Sequence, residues 1–250
     1  MRKILSIITL LVLVLSCSLS SAQTKKTAVK KPVSHASKAK AQTKTDTLST
    51  QKIMTDVRIK ITTSHGDIVL KLSNKTPKHR DNFIKLVKEH FYDSLLFHRV
   101  INNFMIQGGD PNSKNALPGI LLGNGDMHYT IPAEFDTTLY HKRGALAAAR
   151  DNNPEKASSG CQFYIVQGKT ITGDELDIIE KRNNIFFSSA KRMTYKMNGG
   201  TPKLDMNYTV FGEVESGMEI VDKIIMLETD DNNRPKIDVY MKMEVLKEIK

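Results

Sequence analysis

One stretch of this 250-residue chain gathers chemically useful side chains at short spacing: Phe97-His98-Arg99-Val100-Ile101, then Asn102-Asn103-Phe104-Met105-Ile106-Gln107-Gly108-Gly109-Asp110. It sets a guanidinium, two large soft side chains and an amide on what read as adjacent strands. Arg99 supplies donors that stay charged at any working pH. Taken singly, Arg99 would serve a surface ion pair, and Phe104 and Met105 would fill a core. Phe104 and Met105 are consecutive, however, and consecutive strand side chains face opposite ways. One can therefore enter the core while the other lines a surface.

The absent chemistry narrows the choice. His35, His65, His79, His90, His98, His128 and His141 show no metal-ligand spacing to another His, Cys or acid. There is no Gly-x-Ser-x-Gly, no P-loop and no dinucleotide fingerprint. Gly108-Gly109-Asp110 lacks the Lys-Ser/Thr of a phosphate cradle, and Asp230-Asp231-Asn232-Asn233 lacks the Gly and final Glu of a calcium loop. Cys161, between Gly160 and Gln162, has no activating His nearby in sequence and reads as a small buried thiol. No metal and no cofactor is expected.

The elements that must position Arg99 follow from periodicity. Val57 to Ile61 and Ile68 to Leu72 alternate around the turn Ser64-His65-Gly66-Asp67, which predicts a hairpin. Thr76-Pro77 reads as an N-cap with Pro at the first helical position, and Phe83, Leu86, Val87 and His90 give a helix over 77–90. Phe97 to Ile101, Phe104 to Gln107, Gln162 to Val166, Tyr208 to Val214 and Val239 to Leu246 read as strands. Residues 112–132 read as a long irregular loop. Gly217 to Ile225 reads as a helix with Met218, Val221, Ile224 and Ile225 inward. Gly144 to Ala149 is a helix on propensity alone. Short strands with two bracketing helices suggest an antiparallel sheet or a closed barrel.

With 37 Lys+Arg against 27 Asp+Glu the chain carries a formal +10, and 40% of its residues are hydrophobic. That balance excludes collagen, whole-chain disorder and a polytopic membrane protein. The charge is unevenly placed. Arg2 and Lys3 hold two of the ten, and the eight Lys and one Asp of residues 24–55 hold seven, which leaves +1 for residues 56–250. No nucleic-acid partner is expected of so neutral a domain.

Met1-Arg2-Lys3, an apolar run from Ile4 to Leu15 and the small residues that follow have the layout of a secretory signal. The apolar run is about 12 residues long, short of the ~20 that span a bilayer as a helix. Two cleavages fit. Ser20-Ser21-Ala22 places a cut after Ala22, giving a signal peptide over 1–22. Val14-Leu15-Ser16-Cys17 resembles the lipobox of bacterial lipoproteins, giving a signal over 1–16, a lipidated Cys17 and attachment to a membrane. Residues 23–55, rich in Lys, Thr, Ser and Ala, cannot bury enough surface to offset their ordering entropy and read as a flexible tether. The expected location is outside the cytoplasm, in the periplasm or lipid-anchored to a membrane.

The Phe97–Asp110 segment resembles the cyclophilin family of peptidyl-prolyl isomerases, and the likeness runs along nearly all of 57–248. It includes Ser159-Gly160-Cys161-Gln162-Phe163-Tyr164-Ile165 and Leu204-Asp205 through Val210-Phe211-Gly212-Glu213-Val214. The resemblance implies a mainly β domain over 56–250: a closed eight-stranded antiparallel barrel capped by two helices. It turns Gly144 to Arg150 into a strand, with Ala147 and Ala149 small because substrate passes close by. It makes Arg99 the catalytic arginine. Phe104, Met105, Tyr164 and Leu204 become the walls of a proline pocket, and Gln107 and Gln162 the amides that hold substrate and orient Arg99. Ala149 and Arg150 become the strand that hydrogen-bonds the substrate backbone. Tyr208 stands where well-studied members have His, Lys203 where they have a rim Trp, Tyr164 where Phe is common, and Cys161 where Ser is usual. These departures touch the rim contacts and not Arg99.

The partners implied are proline-containing polypeptides, met by a monomer. The competing reading is a binding module or holdase of the same fold. Thirty-seven residues lie between Val166 and Leu204, where compact members have a short loop. An insert over 168–203 is therefore expected beside the site, with a helix capped at Gly173-Asp174 and with Phe186 and Phe187 to bury.

Overall fold

Alternation of period two builds most of the fold. In the computed structural model, which describes residues 56–246, Ile59 and Ile61 of β1 (Arg58–Thr63) point inward while Arg58 and Lys60 point out. β2 (Gly66–Leu72) repeats the pattern with Ile68, Leu70 and Leu72. β3 (Leu95–Ile101), β4 (Met105–Gly108), β6 (Ala145–Ala148), β8 (Phe163–Val166), β9 (Val210–Ser216) and β10 (Tyr240–Leu246) complete a closed barrel in the order β1-β10-β3-β4-β8-β6-β9-β2. Every pairing in it is antiparallel. β5 (Thr130–Ile131) and β7 (Ser158–Ser159) form a separate two-stranded ladder. The leader, Cys17 and the 23–55 tether lie outside the described residues.

Two helices cap the barrel. α1 (Pro77–Lys88) buries Phe83, Leu86 and Val87, and α4 (Met218–Ile225) buries Ile220, Val221, Ile224 and Ile225. Both join one core with Ile59, Phe97, Ile106, Phe163 and Met243. Thr76 does not cap α1. The side chain of Glu134 does so instead, accepting from the amides of Lys78 (3.1 Å) and His79 (3.0 Å), where an anion also suits the helix dipole. α1 stops short of residue 90 because His90 takes a left-handed φ of 57°.

Gly144 to Ala149 is not helical. Ala145–Ala148 is a strand buried at every position, and tertiary pairing overrides alanine's preference. The insert holds α2 (Gly173–Asn183) and α3 (Ser189–Met197). α2 is capped one residue earlier than expected: Thr172 and Glu175 form a reciprocal capping box. Only one of the two Phe is buried. Phe187 joins Ile171, Leu176 and Tyr195 in a small core of the insert, while Phe186 is 87% exposed. At the insert's neck a β-carbon on Gly168 would stand 2.4 Å from Cα of Gly200, so only glycine permits the approach.

Candidate active site

Strand register assembles the site. Arg99 of β3 pairs with Gln107 of β4, Gln107 with Tyr164 of β8, Tyr164 with Ala147 of β6, and Ala147 with Val210 of β9. These five side chains form one row on the outer face of the wall. Met105 lies two residues from Gln107 on that same face. β4, β8 and β6 are buried on both sides: Ile106, Phe163, Ile165, Leu146 and Ala148 enter the barrel core. Met105, Tyr164, Val166, Ala145, Ala147 and Val210 form a second apolar cluster outside it.

Phe104 and Met105 do not divide between core and surface. Phe104 sits in the turn before β4, free of strand alternation, and packs on the outer cluster beside Met105. Ala147 is sealed inside that cluster with no exposed surface, so only Ala149 of the two alanines borders open space. A cleft of about 300 Å³ results, lined by Arg99, Phe104, Met105, Gln107, Ala149, Arg150, Tyr164, Leu204 and Tyr208. Gln162, assigned with Gln107 to hold substrate, is not part of this lining.

It lines the adjoining polar cavity with Gln107, Ala149 and Arg150 and takes part in an amide relay. Arg99 Nη1 donates to Gln107 Oε1 (3.2 Å), Gln107 Nε2 donates to Gln162 Oε1 (2.9 Å), and Gln162 Nε2 donates to the carbonyls of Gly123 (3.0 Å) and Gly125 (2.7 Å). Guanidinium is donor-only and backbone carbonyl acceptor-only, so both ends fix which way each amide points. Half-burial lowers the Arg99 pKa from its ordinary value by desolvation, yet a guanidinium so placed stays cationic. Its Cζ lies 6.0 Å from the Phe104 ring centroid, and Lys203 Nζ stands 5.3 Å from the same centroid.

Arg150 turns its side chain away from the cleft floor. Its Nε donates to the Asn207 carbonyl (2.9 Å), and its guanidinium lies 4.7 Å from the Tyr208 ring centroid, which holds that ring at the rim. Ala149 spends its backbone within the fold: its N–H donates to Gln162 O, and its carbonyl accepts from Ser159 N.

Sequence reasoning missed what lies under Tyr164. The Tyr164 hydroxyl is 2.9 Å from His141 Nε2, and His141 Nδ1 is 2.9 Å from Asp205 Oδ1, which also accepts from the His141 amide. A carboxylate only accepts, so in the neutral imidazole Nδ1 carries the proton and Nε2 accepts from the phenol. Burial pushes the Tyr164 hydroxyl far above the ordinary range, keeping it protonated. Burial would raise Asp205 too, but hydrogen bonding and charge from His141 and the Lys191 charge hold it below its usual value. Tyr195 (2.7 Å) and Lys191 (3.3 Å) of α3 reach Asp205 Oδ2. His141 and Tyr164 are 23 positions apart, and no local motif announces the pair. Leu122, Gly123 and Asn124 also line the cleft, from a loop whose irregular sequence carries no signal.

Burial raises the Cys161 thiol to about 11, which leaves it un-ionised and no nucleophile. Among the described residues no group of three His, Cys, Asp or Glu is placed to hold a metal.

A closed antiparallel barrel thus carries on its outer wall an arginine oriented by two amides, in a cleft of mixed polar and apolar lining. The profile of the family described as cyclophilin type peptidyl-prolyl cis-trans isomerase/CLD matches residues 58–245, and the chain belongs to that family of isomerases. A Staphylococcus aureus protein named for peptidyl-prolyl cis-trans isomerase activity is 32% identical over 187 residues, 74% of this chain and 89% of that protein. A Streptococcus pyogenes protein, named as a bifunctional phosphatase and peptidyl-prolyl cis-trans isomerase, is 37% identical over 191 residues, 75% of this chain but only 38% of that protein. The crystal structure of a Cryptosporidium parvum cyclophilin type isomerase superposes with a TM-score of 0.57 at 22% identity, covering 78% of this chain and 99% of that one. A second structure of it, in the presence of the dipeptide Ala-Pro, gives 0.55 at 23% identity, covering 76% and 99%. These two likenesses bear on the fold.

Proposed function

We propose that this chain isomerises X–Pro bonds of unfolded or flexible polypeptides outside the cytoplasm, with Arg99 stabilising the twisted amide. Rotation about the bond meets a barrier of ~20 kcal/mol set by amide resonance. No covalent bond has to break, so a catalyst needs only to favour the twisted form over both planar ones. As the amide twists, the prolyl nitrogen regains a lone pair. A guanidinium at that nitrogen donates a hydrogen bond that exists mainly in the transition state.

The observation that carries this reading is the relay Arg99–Gln107–Gln162, which orients a half-buried cation in a cleft that also presents Phe104, Met105, Tyr164 and Leu204. Met105, Phe104, Tyr164 and Leu204 hold the proline ring. Because the Ala149 N–H and carbonyl are both engaged in the fold and the Arg150 guanidinium is held by the Asn207 and Asp151 carbonyls, the group assigned to pair with the substrate backbone is the Arg150 main chain. Action outside the cytoplasm rests on the leader, with residues 23–55 as the tether and either Ala22 or Cys17 marking the cut.

Two experiments test the reading. One is kcat/KM on an Ala-Pro tetrapeptide, by protease-coupled or NMR exchange assay, for wild type and Arg99→Ala. Full turnover in a folded variant removes Arg99 from the mechanism. A wild type that suppresses client aggregation while leaving the tetrapeptide unturned is a holdase instead. The other is mass spectrometry of the native N-terminus, which reads the cut directly; an intact Met1 in cytosolic fractions excludes export.

A further inference from the structure

We propose that the insert builds a second substrate subsite: an apolar groove that takes the apolar side chain of a residue within about three positions of the substrate proline. The inference rests on the proline pocket assigned above. The groove holds about 310 Å³ and runs between Phe104 and Lys203 on one bank and Ile171, Ile178 and Ile179 on the other. Phe104 lines both this groove and the proline cleft, and Lys203 of the groove precedes Leu204 of the cleft. One aromatic ring separates the two. An extended chain advances ~3.3 Å per residue, so a polypeptide leaving the cleft past Phe104 reaches the groove within about three residues.

The groove is apolar where a helix surface is ordinarily polar. α2 shows Asp174, Asp177, Lys181 and Arg182 to solvent, yet Ile178 among them is 58% exposed. The insert's own core does not use it, being built from Ile171, Leu176, Phe187 and Tyr195. The charged side chains of the lining are engaged with their neighbours: Lys169 is held by Glu175 at 3.1 Å, and Lys203 stands over the Phe104 ring.

The far bank is fixed in place. Arg192 of α3 bonds Asp177 of α2 at 2.6 Å and Glu180 at 2.5 Å. Tyr195 and Lys191 fasten α3 to Asp205, next to Leu204 of the proline pocket. A wall already ordered costs little further entropy on binding. The substrate itself is the occupant because the groove opens beside the cleft that holds its proline.

The test pairs turnover with binding, using the whole protein. A peptide series keeps Ala-Pro fixed and places Leu or Ala at each of three positions on either side. We expect Leu at one position to raise kcat/KM about tenfold over Ala, as burial of a few methylenes allows. Ile178→Glu is expected to bring that ratio close to one, while Lys181→Glu, on the same helix outside the groove, keeps it. Isoleucine-methyl NMR is the second readout. The Leu peptide is expected to shift Ile171, Ile178 and Ile179, and its Ala counterpart to leave them in place. No preference at any position, or a tenfold ratio that survives Ile178→Glu, overturns the subsite, as does an absence of methyl shifts with the Leu peptide. Methyl shifts with the Leu peptide in a protein that turns over no peptide at all overturn the isomerase reading proposed above, and uphold the groove only as a binding site for apolar side chains.

Discussion

On one wall of the barrel β1 and β10 present Arg58, Lys60, Thr62, Lys242 and Glu244 to solvent, and Lys60 reaches Glu244 across the ladder at 2.6 Å. On the opposite wall β4, β8 and β6 present Met105, Tyr164, Val166 and two alanines, under a cover of Phe104, Leu204 and Tyr208. Both walls send the same kind of aliphatic and aromatic side chain inward. Interior alternation therefore specifies a barrel without specifying where a ligand goes. The outer faces differ: ion pairs in water add little stability, whereas the apolar outer layer is buried under Phe104, Leu204 and Tyr208, and these covering side chains line the cleft together with Arg99 and Gln107.

The largest loss is expected at Asp205. Asp205→Ala strips the acceptor from His141, Tyr195 and Lys191 beneath the apolar wall. Urea unfolding should register a loss of about 3 kcal/mol or more, as for other broken buried pairs. A loss below about 1 kcal/mol, the range of an ordinary hydrogen bond, would mean the wall stands without its polar support. Arg99→Ala should lower kcat/KM roughly a hundred- to thousandfold, the scale of one lost transition-state donor, with an unchanged urea midpoint.

Acid acts next. Burial pushes His98, on β3 beside Arg99, down to about 4 against an opposing Asp110 charge, while the unfolded chain titrates near about 6.5. As pH falls the unfolded state takes the proton first. The contribution is complete above about pH 6.5 and is lost progressively toward about pH 4, roughly 3 kcal/mol in all. His79, also lowered by burial, acts in the same direction. Urea midpoints between those pH values should fall in wild type and fall less in His98→Leu; equal slopes would acquit His98.

Smaller changes sharpen the contrast. Lys203 offers neither the flat face nor the N–H of the rim Trp with which other members hold cyclosporin. Titration calorimetry should show weak binding that Lys203→Trp tightens about tenfold, one well-made contact's worth. On the charged wall Lys60→Ala should change neither turnover nor melting temperature; a clear effect on activity would show that the two walls are coupled.

Much of this was legible in the chain. β1, β2 and α4 carry clean periodicity, and Arg99, Phe104, Met105 and Gln107 sit within one short segment. The strand at Ala145 was not legible from local preference, because a strand buried on both faces loses its alternation and an alanine run favours helix. The Glu134 cap on α1 and the His141–Asp205 support under Tyr164 join residues 55 and 64 positions apart. Such contacts exist only once the barrel has closed, so no local pattern encodes them. Phe187 and Phe186 differ in burial although both are Phe; which one turns inward is set by how the chain enters α3.

The neck at Gly168 and Gly200 also bears on how the chain finds its fold. Closing a connection costs about (3/2)RT ln n, so lengthening a loop of about seven residues to the present 37 adds only ~1.5 kcal/mol. With Gly200 N–H bonded to the Lys169 carbonyl at 3.0 Å, the two ends of the insert are pinned together. In the folded barrel the 37-residue connection therefore leaves and rejoins the wall at one point between β8 and β9. Because the closure cost grows only with the logarithm of length, residues added between the pinned ends burden the barrel little, while Tyr195 and Lys191 among them give back two contacts to Asp205.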